Sequence, residues 1–311
     1  MKAVITGGAG FIGSNIAEAL LKRGDSVAVV DDFSTGRREN LRDFAADVEV
    51  FEGNILDAAL LKKAFAGAEV VFHEAALPSV ARSVEAPAAS NDINAGGTLA
   101  VLLAARDAGA RRVVYAASSS SYGNTPTLPK VETMPPAPLS PYAVSKLAGE
   151  YYCSIFPSLY GLETVSLRYF NVFGPRQDPK SHYAAVVPLF ITWILSGKTV
   201  NIDGDGGQSR DFTYIANVVQ ANLLAAGADG VAGEVFNIGV GKANTINDLY
   251  ETICAITGKS TPKHHGPTRT GDVRDSLADI TKARRMLGYD PEFDFAAGLE
   301  KTVSFFTAGM K

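Results

Sequence analysis

Through the first 170 residues of the chain, short apolar runs rich in β-branched residues alternate with stretches whose apolar residues recur every three or four positions. The runs KAVITG, SVAVVDD, VEVFEG, AEVVFHEAA, RRVVYAASS and TVSLRYFN predict six strands. Segments between them, such as SNIAEALLKRG and GGTLAVLLAARDAGA, carry the helical period. Nearly continuous apolar strands joined by helices predict an α/β fold, a doubly wound parallel sheet covered on both faces. Such a sheet takes its ligand beyond the carboxyl ends of its strands. After Asn171 the pattern loosens into Gly/Pro/Asp-rich connections such as FGPRQDPKSH, DGDGGQSRD and HHGPTRTGD. Residues 1–170 are therefore expected to form the main domain and 171–311 mainly a smaller lobe. Residues of about 214–240 are expected to rejoin the main sheet through EVFNIG.

The 311 residues, 46% hydrophobic and 20% charged, are enough to bury a large core. A net charge of -4 and a pI near 5.6 give no electrostatic footprint for nucleic acid, so an anionic ligand has to be gripped by local arginines. No stretch approaches the roughly 18 uninterrupted apolar residues of a membrane span. Cys153 and Cys254 have no CxxC spacing and are too few for a disulfide framework. With a strand expected from residue 2, no room is left for a signal peptide, and a cytoplasmic protein is expected.

The segment VITGGAGFIGS places Gly7, Gly10 and Gly13 between the first strand and the first helix, a Rossmann arrangement; Gly8, Gly10 and Gly13 also satisfy G-x-G-x-x-G. Glycine lets the backbone turn tightly and approach a pyrophosphate, whose charge meets the free N–H groups of the helix start. The next strand ends in Asp31 and Asp32, where a carboxylate can accept the ribose hydroxyls of adenosine and repel a 2'-phosphate. NAD is the expected cofactor, with Arg37 and Arg38 close by in sequence.

In SPYAVSKLAGEYY, Ser140 can cap a helix and Pro141 can take its first position, so that Tyr142 and Lys146 share one face. A phenol with an ordinary pKa of about 10 is a poor base. Lys146 and the positive nicotinamide ring of NAD are expected to draw it down, at roughly 4 kcal/mol, and so make Tyr142 a general base.

The glycine loop, Y-x-x-x-K and the serines ending the fifth strand together resemble the extended short-chain dehydrogenase/reductase family, from residue 2 to about 290. Further matching pieces are EGNIL, HEAA, RYFNVFGPRQDP, GQSRDFTYI and TGDVRDSLADITKA. Within the family the chain is most similar to nucleotide-sugar 4-epimerases acting on UDP-glucose or UDP-N-acetylglucosamine. The resemblance implies that Ser118, Tyr142 and Lys146 are catalytic. It implies a cofactor site made by Gly7, Gly10, Phe11, Ile12, Gly13, Asp31, Asp32, Thr35, Gly36, Asn54, Ile55, Ala75, Ala76, Ala116, Tyr142, Lys146 and Tyr169. Tyr142 would take the proton of the sugar 4-hydroxyl while hydride passes to NAD, and the resulting 4-keto sugar would turn before both return. Related dehydratases and decarboxylases carry acidic residues just after the catalytic Ser/Thr; here those positions are Ser119 and Ser120, which cannot protonate a departing hydroxyl.

For the UDP-sugar, the resemblance assigns diphosphate contacts to Arg210, Arg269 and Asn171 and a ribose contact to Asp272. Ser119, Asn171, Gln177, Ala185 and Val187 are expected around the sugar with Ser118, and Pro78 faces it where relatives often carry Gly or Lys. Asp203 stands where an aromatic often stacks on uracil. Ser276 occupies a position that is bulky and aromatic in strict UDP-glucose epimerases, so N-acetylated hexosamines are expected to fit. Relatives pair through helices matching residues of about 90–108 and 141–157, which implies a homodimer. A UDP-glucuronate 4-epimerase, another NAD-dependent sugar-nucleotide oxidoreductase and a non-catalytic dinucleotide-sensing scaffold are the alternatives. No metal site is expected: DGDGGQ lacks the later ligands of a calcium loop, His264 and His265 read as a solvated loop, and His73 reads as a satisfied core residue.

Overall fold

The computed structural model describes residues 1–181, 184–268 and 273–309. Each of the six predicted strands is present: β1 (Lys2–Thr6), β2 (Ser26–Asp31), β3 (Val48–Glu52), β4 (Val70–His73), β5 (Arg112–Ser118) and β6 (Glu163–Tyr169). Shorter strands follow: β7 (Asn171–Phe173), β8 (Val200–Asp203), β9 (Ser209–Arg210), β10 (Phe212–Tyr214), β11 (Glu234–Ile238), β12 (Asn244–Thr245) and β13 (Lys263–Gly266). The helices are α1 (Phe11–Lys22), α2 (Ala58–Ala64), α3 (Val80–Glu85), α4 (Pro87–Asn91), α5 (Gly97–Asp107), α6 (Pro141–Tyr160), α7 (Val186–Leu195), α8 (Ile215–Gly227), α9 (Ile246–Thr257), α10 (Thr281–Leu287) and α11 (Phe295–Gly309).

One seven-stranded sheet, in the order β11-β6-β5-β4-β1-β2-β3, carries the molecule, and every pairing in it is parallel. The alternation of side chains explains the unbroken apolar runs. In β5, Val114 and Ala116 join a core with α1 and α8, whereas Val113, Tyr115 and Ala117 join the opposite core with α2, α5 and α6. The strand order reverses between β1 and β4, so the loops leaving these two strands diverge and open a crevice at their carboxyl ends. β11 lies against β6 with Phe236 opposite Leu167, and brings the C-terminal half back to the sheet.

Beyond β6, three short ribbons pair β7 with β10, β9 with β12 and β8 with β13. The core on the α1 side continues without a break into this region, through Phe173, Phe190, Phe212, Leu249 and Leu299. One local feature is new and one expectation changes. A π turn over Asp92–Gly96 precedes α5, and there Asn94 accepts the N–H of Leu77 at 2.7 Å and donates to Ser145 Oγ at 3.1 Å, tying the loop after β4 to α6. His264 and His265 lie in β13, parallel to β8, because each strand satisfies the other's backbone along an exposed edge. Among the described residues, no helix is long and apolar enough to cross a membrane.

Candidate active site

The glycine loop leaves β1 with Gly7 at φ +70°, and a Cβ there would come within 2.6 Å of the Ala75 backbone nitrogen. A Cβ on Gly13 would stand 2.3 Å from the Gly7 carbonyl oxygen, so glycine at these two positions lets α1 pack directly on the turn. Gly10 is the N-cap of α1; no side chain caps the helix and no acidic residue occupies its first turn. Its free N–H groups face a cleft of about 980 Å³ at the crevice. That uncapped cradle suits the pyrophosphate of NAD.

Every residue expected at the cofactor, from Gly7 through Tyr169, lines this cleft. Asp31 is buried and accepts the N–H groups of Ala9 at 2.8 Å and Phe33 at 2.9 Å, so it also locks the glycine loop to β2. Burial pushes its carboxyl up, against the pull of those two donors. Asp32 is exposed and accepts Asn54 Nδ2 at 2.9 Å, which joins the β2 and β3 ends of the cleft.

The tyrosine helix forms as its sequence dictates. Ser140 accepts the N–H of Ala143 at 3.2 Å, Pro141 opens α6, and Gly161 closes it in the left-handed conformation. A Cβ on Gly149 would lie 2.4 Å from the Tyr115 hydroxyl, so glycine allows α6 to press on β5; one turn earlier that hydroxyl donates to the Lys146 carbonyl at 3.0 Å. Lys146 is buried, with its Nζ 4.6 Å from the centre of the Tyr115 ring. Ser118 ends β5 and accepts the N–H of Ser120, while its hydroxyl also bonds to Tyr142. The Tyr-Gly pair that follows is structural. Tyr122 is buried and donates to Asn237 Oδ1 at 2.7 Å, and Gly123 at φ +59° passes so near Ala137 that a Cβ would fall 1.8 Å from its carbonyl oxygen.

Burial is the largest influence on Tyr142 and raises its pKa; the Ser118 hydrogen bond lowers it and the Glu74 carboxyl raises it further. Burial and Glu74 thus oppose the phenolate, and the positive ring of bound NAD would favour it. Burial lowers the Lys146 ammonium, which Glu74 supports, and raises the Glu74 carboxyl, which Tyr169 and Lys146 stabilise in its charged form. His73 is held neutral, its pKa lowered to about 3 by burial, between Thr6 Oγ1 at 2.7 Å and Thr98 Oγ1 at 2.9 Å.

A second pocket of about 360 Å³ meets the first along Ile12, Ala117, Tyr142 and Tyr169. Ser118, Ser119, Asn171, Arg210 and Ser276 line it. Arg210 is buried and donates to the backbone carbonyls of Ser209 at 2.8 Å and Arg274 at 3.0 Å, which fixes its guanidinium at the pocket wall. The remaining assignments divide. Pro78, Gln177 and Ala185 line the larger cleft instead. Val187 lines neither cavity: α7 turns it into the core beside Phe190 and Ile191. Asp203 is exposed on β8 and also lines neither, and Arg269 and Asp272 lie outside the described residues. Among the lining residues not anticipated from the sequence, three are ionisable and close to the chemistry. Glu74 sits inside the HEAA segment itself, whereas Lys130 and Asp275 reach the second pocket through long-range backbone pairing that leaves no local pattern. Among the described residues, no cluster of His, Cys, Asp or Glu could hold a metal ion.

Residues 3–239 match the NAD dependent epimerase/dehydratase family. The chain belongs to that family. A UDP-glucose 4-epimerase of Mycolicibacterium smegmatis is 42% identical over 98% of each chain. Among solved structures, a UDP-glucose 4-epimerase from Thermotoga maritima with UDP-glucose superposes with a TM-score of 0.96, at 39% identity over 100% of both chains. A UDP-N-acetylglucosamine 4-epimerase from Methanobrevibacter ruminantium, in complex with UDP-N-acetylmuramic acid, does so with a TM-score of 0.95, at 40% identity over 99% of both. The chain is thus an isomerase of the NAD-dependent UDP-sugar 4-epimerase family, with the seven-stranded Rossmann sheet of that family.

Proposed function

We propose that this epimerase interconverts UDP-N-acetylglucosamine with UDP-N-acetylgalactosamine, and UDP-glucose with UDP-galactose. The observation that carries the reading is the junction at Tyr142 between the cofactor cleft and the second pocket. A sugar seated there stands between a base and a hydride acceptor. NAD bound in the cleft supplies reversible hydride exchange at C4. Tyr142 takes the proton of the 4-hydroxyl and Ser118 orients that hydroxyl against the phenol. Arg210 and Asn171 hold the diphosphate while the 4-keto sugar turns, and Tyr142 returns its proton on the other face. Ser119 and Ser120 offer hydrogen bonds and no acid, which keeps the cycle from becoming a dehydration.

Ser276 supports acceptance of the acetylated pair. Its backbone N–H donates to the Ser209 carbonyl at 3.1 Å, which holds its small side chain on the pocket wall and leaves space beside it. Replacing Ser276 by Tyr is expected to abolish turnover of the acetylated pair while sparing UDP-glucose, measured by separating epimers after incubation with each UDP-sugar. Equal loss of both activities overturns the gate. Turnover of UDP-glucuronate in preference to both pairs overturns the substrate assignment.

We also propose a homodimer. Val144, Tyr151, Ile155 and Leu159 project from α6 at helical spacing and are between 45% and 62% exposed, an apolar stripe with the geometry of a helix-packing face.

A further inference from the structure

The cycle above leaves Glu74 without a task. This residue follows β4 at the point where the strand order reverses, and its N–H donates to the Thr6 carbonyl at 3.0 Å. Its carboxyl ends a relay. Asn222, fully buried on α8, has Nδ2 placed 2.8 Å from both the Val218 carbonyl and the Tyr169 hydroxyl. Tyr169 in turn donates to Glu74 Oε1 at 2.8 Å. Since Tyr169 stands opposite Ser118 in the β5–β6 register, the relay fixes the carboxyl beside the catalytic serine's strand, in the same cleft wall as Tyr142 and Lys146.

We propose that Glu74 is an electrostatic positioning residue: held by the Asn222–Tyr169 relay, its carboxylate sets the field in which Tyr142 exchanges its proton. The inference rests on the epimerase reading for its use, though not for its test. Among the described residues, the ionisable groups that interact with Glu74 are Lys146 and Tyr142 from α6 and Tyr169 from β6. His73 on its own strand is neutral, and Asn222 from α8 carries no charge. A negative charge here supports the Lys146 ammonium and opposes the phenolate. Tyr142 is thereby kept protonated until the positive nicotinamide offsets Glu74, so that the base is armed by the cofactor and idle without it.

Glu74→Gln removes the charge and keeps an acceptor for Tyr169. In the holoenzyme, the tyrosinate absorbance near 295 nm belonging to Tyr142, isolated by difference against Tyr142→Phe, is expected to appear about one pH unit lower in Glu74→Gln than in the parent. The acid limb of kcat/KM is expected to move the same way. An unchanged or higher titration overturns the proposal and leaves Glu74 a structural residue. Should Glu74→Gln fail to fold, Glu74→Ala is expected to shift the titration in the same direction, and the same contrary results decide against it. The absorbance is read without substrate, so a parent protein that interconverts no UDP-hexose sinks the proposed function and leaves the role of Glu74 to be judged on its own.

Discussion

His73 fits the sheet only as a neutral ring, since both its nitrogens are committed to threonine hydroxyls and no water reaches it. Its folded pKa, lowered to about 3 from an ordinary 6.5, gives the sign of a pH effect. The unfolded chain binds the proton more readily, so the contribution to stability is complete above about pH 6.5 and is lost as the pH falls towards the folded value. Each pH unit in that window costs at most about 1.4 kcal/mol, and the urea midpoint at pH 5 is expected to lie below that at pH 7.5. At this scale the spacing of Tyr142 and Lys146 was legible in the sequence because both lie on one helix. Glu74 was not, because its partner Tyr169 is 95 residues away and the chain gives no local sign of that bond. Val187 was assigned to the sugar by resemblance alone, and α7 turns it into the core two residues beyond Ala185, which lines the cleft as the N-cap of that helix.

The segment after β7 borders the cofactor cleft and is strapped to α1. Arg176 pairs with Glu18 and donates to the Ser14 carbonyl at 3.1 Å, and Asn15 Nδ2 reaches the Pro175 carbonyl at 3.3 Å. A weaker ion pair joins Asp178 to Arg37 at 3.4 Å. Gln177, Asp178 and Ser181 line the cleft. Arg176→Ala is expected to release NAD about tenfold faster, a loss of roughly 1.4 kcal/mol, read as the rate at which cofactor leaves the protein after dilution. The six sheet strands were legible because each carries β-branched or aromatic residues in a short run, continuous in β1, β2, β4 and β5 and alternating with polar residues in β3 and β6. The paired ribbons of the C-terminal half were not: β9 and β12 hold two residues each, too few to show a period, and they form only because distant backbone groups meet.

For the molecule as a whole, the stripe on α6 is the test of assembly. Ile155→Glu is expected to convert a dimer into a monomer in sedimentation velocity without loss of helix content, because Ile155 makes no part of either core. A parent protein that already sediments as a monomer overturns the homodimer. The unbroken core between the sheet and the C-terminal region has a different implication. Swinging the two halves apart as rigid jaws would tear Phe173, Phe190 and Phe212 out of the core they share with the sheet. On the proposed reading, a UDP-sugar would therefore enter through the existing opening of the cleft rather than by a parting of the two halves.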